Sequence, residues 1–271
     1  MAGGPSARAA AASQVFVDDL GDPDPDPGAR HHLARVLRLR PGEAVVAADG
    51  AGRWRMCRYA PARQGAGGGE GARSVLEPDG PVEVEPRPWP VLTVAFAPAK
   101  GDRPEWVVQK LTELGIDRIV PLSTERSVVR WDGERARRAV ERLRRVVLEA
   151  AAQSRRVWLP EVAEPVGLAE LARARPSGCE VALAQLGGPP PQPWQRTVAV
   201  GPEGGWAPAE LALGLPTVGL GVNVLRSETA ALVAAARLGL LRDATVSPGD
   251  PEDGEVGDPR APMDGEGKSR G

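Results

Sequence analysis

The chain of 271 residues is poor in cysteine, and Cys57 and Cys179, the two that it has, stand far apart. No Cys-x-x-Cys pair or histidine–carboxylate cluster is present, so we expect no disulfide framework and no metal site. Long apolar runs are also missing, and nothing approaches the ~20 residues of a membrane span. The alanine-rich start lacks the apolar core of a signal peptide and indicates a loose leader. These absences favour a protein of the reducing cytoplasm.

Two nucleotide-binding fingerprints are absent as well. Gly219-Leu220-Gly221 begins like a Gly-x-Gly-x-x-Gly motif, but Val224 stands where the third glycine belongs. No Gly-x-x-x-x-Gly-Lys phosphate loop occurs anywhere in the chain. The sequence therefore predicts neither a dinucleotide-binding nor a P-loop enzyme.

Lysine is scarce, so nearly all of the positive charge is carried by arginine. The net charge of −2 divides into +3 for residues 1–242 and −5 for the tail that starts at Asp243. The tail, 243–271, has almost no apolar residues, and we expect it to be disordered. Between Arg126 and Arg156 there are ten arginines and four acidic residues. That excess fits either a solvated helix face or a surface that follows RNA phosphates.

Residues 13–80 are typical of a small β-rich domain. We predict strands over 14–17, 43–49 and 53–59, with a glycine-containing hairpin turn at 49–52. We predict a helix over 31–40, where Leu33, Val36 and Leu37 stand at helical spacing and Pro41-Gly42 follows. This segment contains His31 and His32, the only histidines. We predict a flexible loop over 61–72. The segment 81–90 has four prolines and is interpreted as a linker between domains.

From Val91 onward, strand and helix patterns alternate. We predict strands over 91–97, 116–122, 179–186, 197–201 and 217–221, and helices over 103–114, 134–154 and 227–241. This alternation predicts an α/β domain with a mainly parallel sheet over 91–242.

Two segments carry residues suited to ligand binding. VGPEGGW (200–206) follows a predicted strand, and its glycines would let the backbone approach a ligand closely. The same loop could equally be a tight strand-to-helix turn. In GLGVNVLRSETA (219–230), Ser227 and Thr229 stand where a helix cap belongs, and Glu228 suits the first helical turn. Capping and ligand binding are both open for these residues taken one at a time.

The order of several segments resembles one known family. KGDRPEWVVQKLTELGIDRIVPL (100–122), ERSVVR (125–130), EAAAQS (149–154), VGPEGGW and LGVNVLRSETA follow one another as in the RsmE family of ribosomal RNA uridine-N3 methyltransferases. The segment HHLARVLRLRPGE, followed by DGAGRW, resembles that family's PUA-like barrel. The resemblance extends from about Phe16 to Leu241. It implies a PUA-like barrel domain followed by a SPOUT domain, with a mainly parallel sheet and a C-terminal trefoil knot.

The resemblance also implies an activity, partners and site residues. The reaction would be methyl transfer from S-adenosyl-L-methionine to N3 of a uridine in 16S ribosomal RNA of the small ribosomal subunit, performed by a homodimer. The implied cofactor-binding residues are Gly201, Pro202, Glu203, Gly204, Gly205, Leu220, Gly221, Val224, Leu225 and Thr229. The catalytic candidates are Arg226, Glu203 and Glu228. The RNA-binding candidates are Arg126, Arg130, Arg155, His32 and Arg38.

The chain departs from the family pattern at a few positions. Asn223 stands where the family usually has arginine, and Trp206 replaces a usual phenylalanine. Ala152 and Arg155 replace a usual glutamate and glycine. Loss of the arginine at 223 could weaken an RNA contact, although Arg226 keeps a guanidinium nearby. We do not interpret these changes as loss of activity.

Two other functions remain open at this point. The first is a SPOUT methyltransferase that acts on a ribose 2′-hydroxyl or on transfer RNA, because it would share the glycine loops. The second is a non-catalytic RNA-binding assembly factor with a relic pocket. The intact glycine loops argue against the second alternative.

Overall fold

The computed structural model of the protein describes residues 5–60, 75–174 and 180–245. The N-terminal part comprises α1 (Pro5–Ala10), β1 (Ser13–Phe16), α2 (Pro27–His31), a π-helical turn (His32–Val36), β2 (Ala44–Ala48), β3 (Arg53–Ala60), β4 (Val75–Pro78) and β5 (Glu83–Val84). The C-terminal part begins with β6 (Thr93–Phe96), α3 (Arg103–Glu113), β7 (Arg118–Ser123), α4 (Gly133–Gln153), β8 (Glu161–Val162) and β9 (Val166–Gly167). It ends with α5 (Leu168–Arg173), β10 (Val181–Ala184), β11 (Thr197–Val200), α6 (Pro208–Leu211), β12 (Thr217–Val218) and α7 (Ser227–Thr245).

The N-terminal sheet has the strand order β1-β2-β3-β4, with β5 also paired to β3. Strand β1 runs parallel to β2, and the other pairs are antiparallel. Strand β2 is apolar throughout because both of its faces are covered. Val45 and Ala47 face a core that includes Leu33, whereas Val46 and Ala48 face a second core that includes Val157 of the C-terminal domain.

Buried Cys57 belongs to the first of these cores. Burial raises the pKa of its thiol to about 11, so at neutral pH it packs as a small apolar group. Cys179 and the loop predicted at 61–72 lie outside the described residues, as does the tail from residue 246 onward.

The helix expected over 31–40 differs from the structure. It begins earlier, at Pro27, because the Asp26 side chain accepts hydrogen bonds from the first turn. It then widens into the π-helical turn, which ends at Val36. Leu33 is buried as predicted, but Val36 is 61% exposed and Leu37 40% exposed. The wider turn moves these two side chains off the face that an α-helical repeat would give them.

The C-terminal sheet has the order β12-β10-β11-β6-β7-β8, with β9 also paired to β7, and all of its pairs are parallel. Its central strands, β6, β7, β10 and β11, are buried on both faces, as in other parallel sheets. Val94 and Val198 face a core shared with α3, α4 and α7, whereas Ala95 and Ala199 face a core shared with α5. The prediction of an α/β domain with a mainly parallel sheet agrees with this sheet.

The segment 81–90, expected to be a linker, belongs partly to the first domain. Glu83 and Val84 form β5, and the Glu85 amide donates to the carbonyl of Gly52 at 2.8 Å. The Glu85 carboxylate pairs with Arg8, and its carbonyl accepts from the Trp158 indole at 2.9 Å. Prolines kept this short strand from being recognised, because they suit both edge strands and linkers.

The two domains are joined through the predicted hairpin at 49–52. Its backbone exchanges hydrogen bonds with the C-terminal domain, from Gly52 to the Val157 carbonyl at 3.1 Å and from Leu159 to the Gly50 carbonyl at 2.9 Å. The Trp158 ring lies directly on Gly52. The hairpin therefore acts as a docking element as well as a turn.

A buried cluster of charges closes the amino edge of the C-terminal sheet. The Asp117 side chain is 6% exposed and accepts from Arg156 at 3.2 Å and from Arg242 at 2.8 Å. Burial lowers the pKa of Arg156, and the charge of Asp117 opposes that shift. The cluster connects the start of β7, the segment after α4 and the last turn of α7. None of the helices in the described part of the chain is long and apolar enough to cross a membrane.

We expect Gly52→Ala to weaken the joint between the domains. A Cβ at this position would lie 2.4 Å from the Trp158 ring, on a backbone with φ of +91°. Backbone strain of ~1–2 kcal/mol and overpacking of ~1–3 kcal/mol would add to about 3 kcal/mol. Differential scanning calorimetry should show Tm lower by roughly 6–12 °C.

Gly42→Ala is the matched control, because Gly42 has φ of +88° but a Cβ there would meet nothing within 4 Å. This variant should lose only the ~1–2 kcal/mol of stability that comes from backbone strain. Equal losses of stability in the two variants would mean that the indole contact contributes nothing.

Candidate functional site

A cleft of about 350 Å³ lies at the carboxyl edge of the C-terminal sheet. Most of its lining comes from three segments at the ends of β10, β11 and β12. They contribute residues 184–186, then 200–203, 205 and 206, and then 220, 221, 223–225 and 227. The carboxyl ends of parallel strands meet at one edge, which is where open α/β sheets bind ligands. The structure therefore brings together the two glycine-containing segments singled out in the sequence and adds a third.

Two backbone segments pass each other in contact beneath this cleft. A Cβ on Gly219 would lie 2.2 Å from the carbonyl oxygen of Gly188, and one on Gly188 would lie 2.7 Å from the carbonyl carbon of Val218. The Gly219 amide donates to the Pro189 carbonyl at 2.7 Å. Only glycine at both positions permits this approach, which sets the course of the loop from Leu220 to Leu225.

The glycine loop after β11 is supported from below by Trp206. Its buried indole packs in the α5-side core and donates to the Ala184 carbonyl at 3.3 Å. A Cβ on Gly201 would lie 3.1 Å from this ring. The Gly205 amide donates to the Pro202 carbonyl at 2.8 Å, which closes the turn. The tryptophan that departs from the family pattern thus connects the loops after β10 and β11.

The outer side of the same loop is fixed by the segment after β7. Arg126 donates to the Gly204 carbonyl at 2.9 Å. One carboxylate oxygen of Glu210 accepts from the Glu125 amide at 3.0 Å and the other from the Ala207 amide at 2.8 Å. Arg126, an RNA-binding candidate, is exposed and therefore supports the loop as well as being accessible from solvent.

Most of the cofactor-binding candidates line the cleft. They are Gly201, Pro202, Glu203, Gly205, Leu220, Gly221, Val224 and Leu225. Gly204 and Thr229 do not line it: Gly204 faces Arg126, and Thr229 is exposed on α7. Sequence reasoning missed Gln185 and Leu186, which also line the cleft. Their position directly after a predicted parallel strand was the available signal.

The three catalytic candidates occupy different surroundings. Glu203 is exposed and lines the cleft. Arg226 is exposed directly before α7, and its guanidinium makes no hydrogen bond or ion pair within the described residues. Glu228 is mostly buried, with one carboxylate oxygen 3.7 Å from the Arg103 guanidinium and the other without a partner in the described structure. Glu228 thus pairs with Arg103 rather than with Arg226.

The RNA-binding candidates are also spread over different surroundings. Arg130 follows β7, and His32 and Arg38 lie in the N-terminal domain; all three are exposed. The Arg155 guanidinium donates to the carbonyls of Ala152 at 2.9 Å and Ala11 at 2.8 Å, and burial lowers its pKa. Arg155 therefore contributes to the contact between the domains, and a role in RNA binding stays a prediction.

Several arginines of α4 form ion pairs with nearby carboxylates. Arg137 and Arg138 pair with Glu134, and Arg144 pairs with Glu164. Those arginines fit the solvated-face interpretation of the arginine-rich segment. Across the described ranges, no group of three histidine, cysteine or acidic residues is arranged to hold a metal ion.

We expect Gly221→Val to reduce binding of S-adenosylmethionine, the ligand that the resemblance implies, while leaving the fold intact. Gly221 lines the cleft, and a Cβ there would meet no protein atom within 4 Å. The added side chain would occupy ligand space. Calorimetric titration should show at least about tenfold weaker binding, or ~1.4 kcal/mol, with Tm nearly unchanged.

Gly219→Ala provides the contrast. Its Cβ would collide with a backbone carbonyl that cannot rotate aside, so the variant should lose about 3 kcal/mol of stability or more. If Gly221→Val bound the cofactor as the wild type does, the cleft would not be the cofactor site.

Comparison with known proteins places the chain in a family. Residues 86–239 match the description RNA methyltransferase domain, and residues 26–63 match RNA methyltransferase PUA domain. A ribosomal RNA small subunit methyltransferase E of Mycobacterium bovis is 35% identical over 254 residues, covering 83% of this chain and 90% of the relative. A protein of the same name from a Synechocystis species is 34% identical, covering 79% of this chain and 71% of the relative.

Solved structures agree with these relatives. A ribosomal RNA small subunit methyltransferase E from Neisseria gonorrhoeae, bound to S-adenosyl methionine, has a TM-score of 0.70 at 26% identity and covers 84% of this chain and 97% of its own. A probable rRNA-methyltransferase from Porphyromonas gingivalis has a TM-score of 0.70 at 27% identity, with 86% and 99% covered. The expected fold class, a PUA-like domain before a mainly parallel SPOUT-type sheet, is confirmed. The chain belongs to the ribosomal RNA small subunit methyltransferase E family, RsmE.

Proposed function

We propose that the chain transfers a methyl group from S-adenosylmethionine to N3 of a uridine in 16S ribosomal RNA of the small ribosomal subunit. The observation that carries this proposal is the cleft built from three loops at the carboxyl edge of the sheet, in a chain of the RsmE family. Ribosomal RNA as the substrate class follows from the names of the relatives. The bacterial cytoplasm, where ribosomes are assembled, is the proposed location.

The lining of the cleft fits the proposed cofactor. Its volume of about 350 Å³ suits a small ligand, and its walls combine apolar Leu220 and Leu225 with the exposed backbone of Gly201 and Gly221. Backbone amides and carbonyls suit the polar edge of an adenine and an amino-acid moiety, whereas the leucines suit the flat faces of the base. When bound, S-adenosylmethionine supplies an electrophilic methyl group on a positively charged sulfur.

Arg226 is the residue proposed to stabilise charge on the substrate. N3 of uridine carries a proton at neutral pH and is a poor nucleophile until that proton leaves. In the chain Arg226 stands between Leu225 and Ser227, which line the cleft, although Arg226 itself is not one of the lining residues. Its side chain is exposed and has no ion-pair partner in the described structure. It is therefore available to donate a hydrogen bond to one of the uracil oxygens as negative charge develops on that oxygen.

Glu203 is the carboxylate better placed to accept the N3 proton. It lines the cleft and is exposed, so a substrate can reach it. Glu228 is mostly buried beside Arg103, which suits a positioning role at the start of α7. The two acids thus divide into a proton acceptor at the cleft and a residue that fixes the helix supporting Arg226.

RNA binding and assembly complete the proposal. His32, Arg38, Arg126 and Arg130 are exposed and available to RNA phosphates. A homodimer is supported by the loop after β12, in which Val222 is 93% and Val224 85% exposed. A C-terminal trefoil knot is part of the proposal because the resemblance to the RsmE family implies it.

Product analysis tests the methylated atom. RNA from a strain lacking the gene, incubated with the protein and S-adenosylmethionine, should yield 3-methyluridine after nuclease digestion and mass spectrometry. A ribose-methylated nucleoside would instead support the 2′-hydroxyl alternative. Cofactor binding without any methylated product would support a non-catalytic assembly factor.

We expect Arg226→Ala to slow single-turnover methylation by on the order of 10²-fold, the effect of losing one preorganised donor. Cofactor affinity and Tm should change little, because the side chain makes no hydrogen bond within the described structure. The defect should shrink as the pH rises, since more of the uridine N3 is then deprotonated in solution. Rapid-quench measurements over a range of pH would check this.

Arg135→Ala is the matched control, since it removes an exposed arginine of α4 that lies outside the cleft. It should keep the wild-type single-turnover rate at saturating RNA. If Arg226→Ala lost stability but kept its rate, Arg226 would be a structural residue and the proposed mechanism would be wrong.

A further inference from the structure

We propose that Trp89, together with Arg87 and Arg196, forms a second RNA contact that stacks one base of a single-stranded segment of the substrate. The inference rests on the proposed function, because it takes RNA to be the substrate. We name this surface the tryptophan platform. It lies outside the cleft and includes none of the residues discussed so far as RNA-binding candidates.

The Trp89 ring is exposed although one face is covered. The Arg196 guanidinium lies 5.1 Å from the ring centroid, and Trp89 still exposes 68% of its surface. Pro88 and Pro90 flank it and restrict the backbone that carries the ring. An aromatic ring fixed in this way loses little conformational entropy on binding, which favours its use as a contact surface.

Arg196 has few alternatives to this contact. Its Nε is buried without a hydrogen-bond partner, and within the described residues its side chain makes no ion pair. A positive charge over one face of an indole is attracted to the ring. The charge of Arg196 is therefore not balanced by a carboxylate of the described residues, and a phosphate of the RNA could pair with it.

Arg87, two residues before Trp89 in the chain, forms a second arginine–tryptophan pair. Its guanidinium lies 5.8 Å from the centroid of the Trp158 ring. Arg87 is exposed and has no ion-pair partner among the residues that the structure describes. Trp158 itself is fixed by its hydrogen bond to the Glu85 carbonyl and by its contact with Gly52. An exposed aromatic ring that has one unpaired guanidinium on its covered face and another two residues away in the chain has the chemistry that binds single-stranded nucleic acid.

Trp106 is also exposed, but the charge around it is opposite in sign to that around Trp89. Trp106, on α3, is 44% exposed but lines a groove with Asp102, Glu105 and Glu149. Glu105 is paired with Arg142, and the other two acids leave the groove negatively charged. Arginine–ring contacts in the described structure involve Trp54, Trp89 and Trp158 and leave Trp106 without one. A polyanion would be repelled from that groove and attracted to the tryptophan platform.

The position of the platform decides its role. Arg196 directly precedes β11, and Gly201 of the cleft directly follows it. Five residues of a parallel strand span roughly 17 Å, so the platform lies too far from the cleft to touch the methylated base. Arg87 and Trp158 also place it at the joint between the domains. The platform therefore contributes to RNA affinity and leaves the chemical step unchanged.

Fluorescence anisotropy tests the proposal with a labelled single-stranded RNA of about twelve nucleotides and mixed sequence. Trp89→Ala in the full chain should weaken binding by on the order of tenfold, the scale of one lost base–aromatic stack. Trp89→Phe should restore most of the affinity, because a phenyl ring still stacks. Trp106→Ala is the matched control and should bind as the wild type does.

The dependence on salt separates stacking from phosphate contact. Arg87→Gln should reduce the slope of log Kd against log salt by about 0.7, the contribution of one phosphate on a single strand. Trp89→Ala should leave that slope unchanged. The methylation rate of Trp89→Ala at saturating RNA should equal that of the wild type, with KM for RNA raised.

Unchanged RNA affinity in Trp89→Ala would overturn the proposal, as would equal weakening by Trp89→Ala and Trp89→Phe or by Trp106→Ala. Tighter binding of a duplex than of the single strand, unaffected by these substitutions, would overturn it too. The proposed function fails separately, if the wild type makes no 3-methyluridine. That outcome leaves the anisotropy result interpretable by itself.

Discussion

The close passage of the chain at Gly188 and Gly219 is the constraint on which the cleft depends. There the carbonyl of one segment occupies the space that a Cβ of the other would need, and a hydrogen bond of 2.7 Å from Gly219 to Pro189 joins them. Because neither segment can move without the other, the loops after β10 and β12 keep one arrangement. Trp206 extends that arrangement to the third loop through Ala184. Three loops from separate parts of the sequence thus form a single binding surface.

At the opposite edge of the sheet, a buried cluster of ion pairs around Asp117 holds distant segments together. Asp117 receives two arginines from distant segments while nearly all of its side chain is excluded from water. Leaving any one of these charges unpaired would be costly, so the last turn of α7 is held against the start of β7. The backbone carbonyl of Arg156 also accepts from Gln14 at 2.6 Å, which extends the connection to the N-terminal domain. The helix that begins at the cleft beside Arg226 therefore ends at a rigid anchor.

The predictions from the sequence succeeded where local pattern and packing agree. Strands β6, β7 and β11 and helices α3 and α4 lie within a few residues of their predicted bounds, because continuous apolar runs and an amphipathic repeat indicate them directly. They failed where geometry departs from a regular repeat. The helix predicted over 31–40 contains a π-helical turn, which leaves Val36 exposed. The proline-rich segment predicted to be a linker contains the short strand β5. The contact of Arg155 with Ala11 was likewise not visible in the sequence, because it depends on a backbone turn with φ of +60°; its role in RNA binding stays a prediction.

The segments that carry the candidate site can be identified from the sequence. Glycines in 200–206 and 219–221 and the arginine before α7 are local features, and their order along the chain sufficed to suggest the family. The contacts of these residues depend on the packing of the folded chain. That packing placed Gln185 and Leu186 in the cleft, removed Gly204 from it and paired Glu228 with Arg103. The physical reason is that strand order and backbone crossing are long-range properties. Residues 30 positions apart become neighbours only when β10, β11 and β12 align in one parallel sheet.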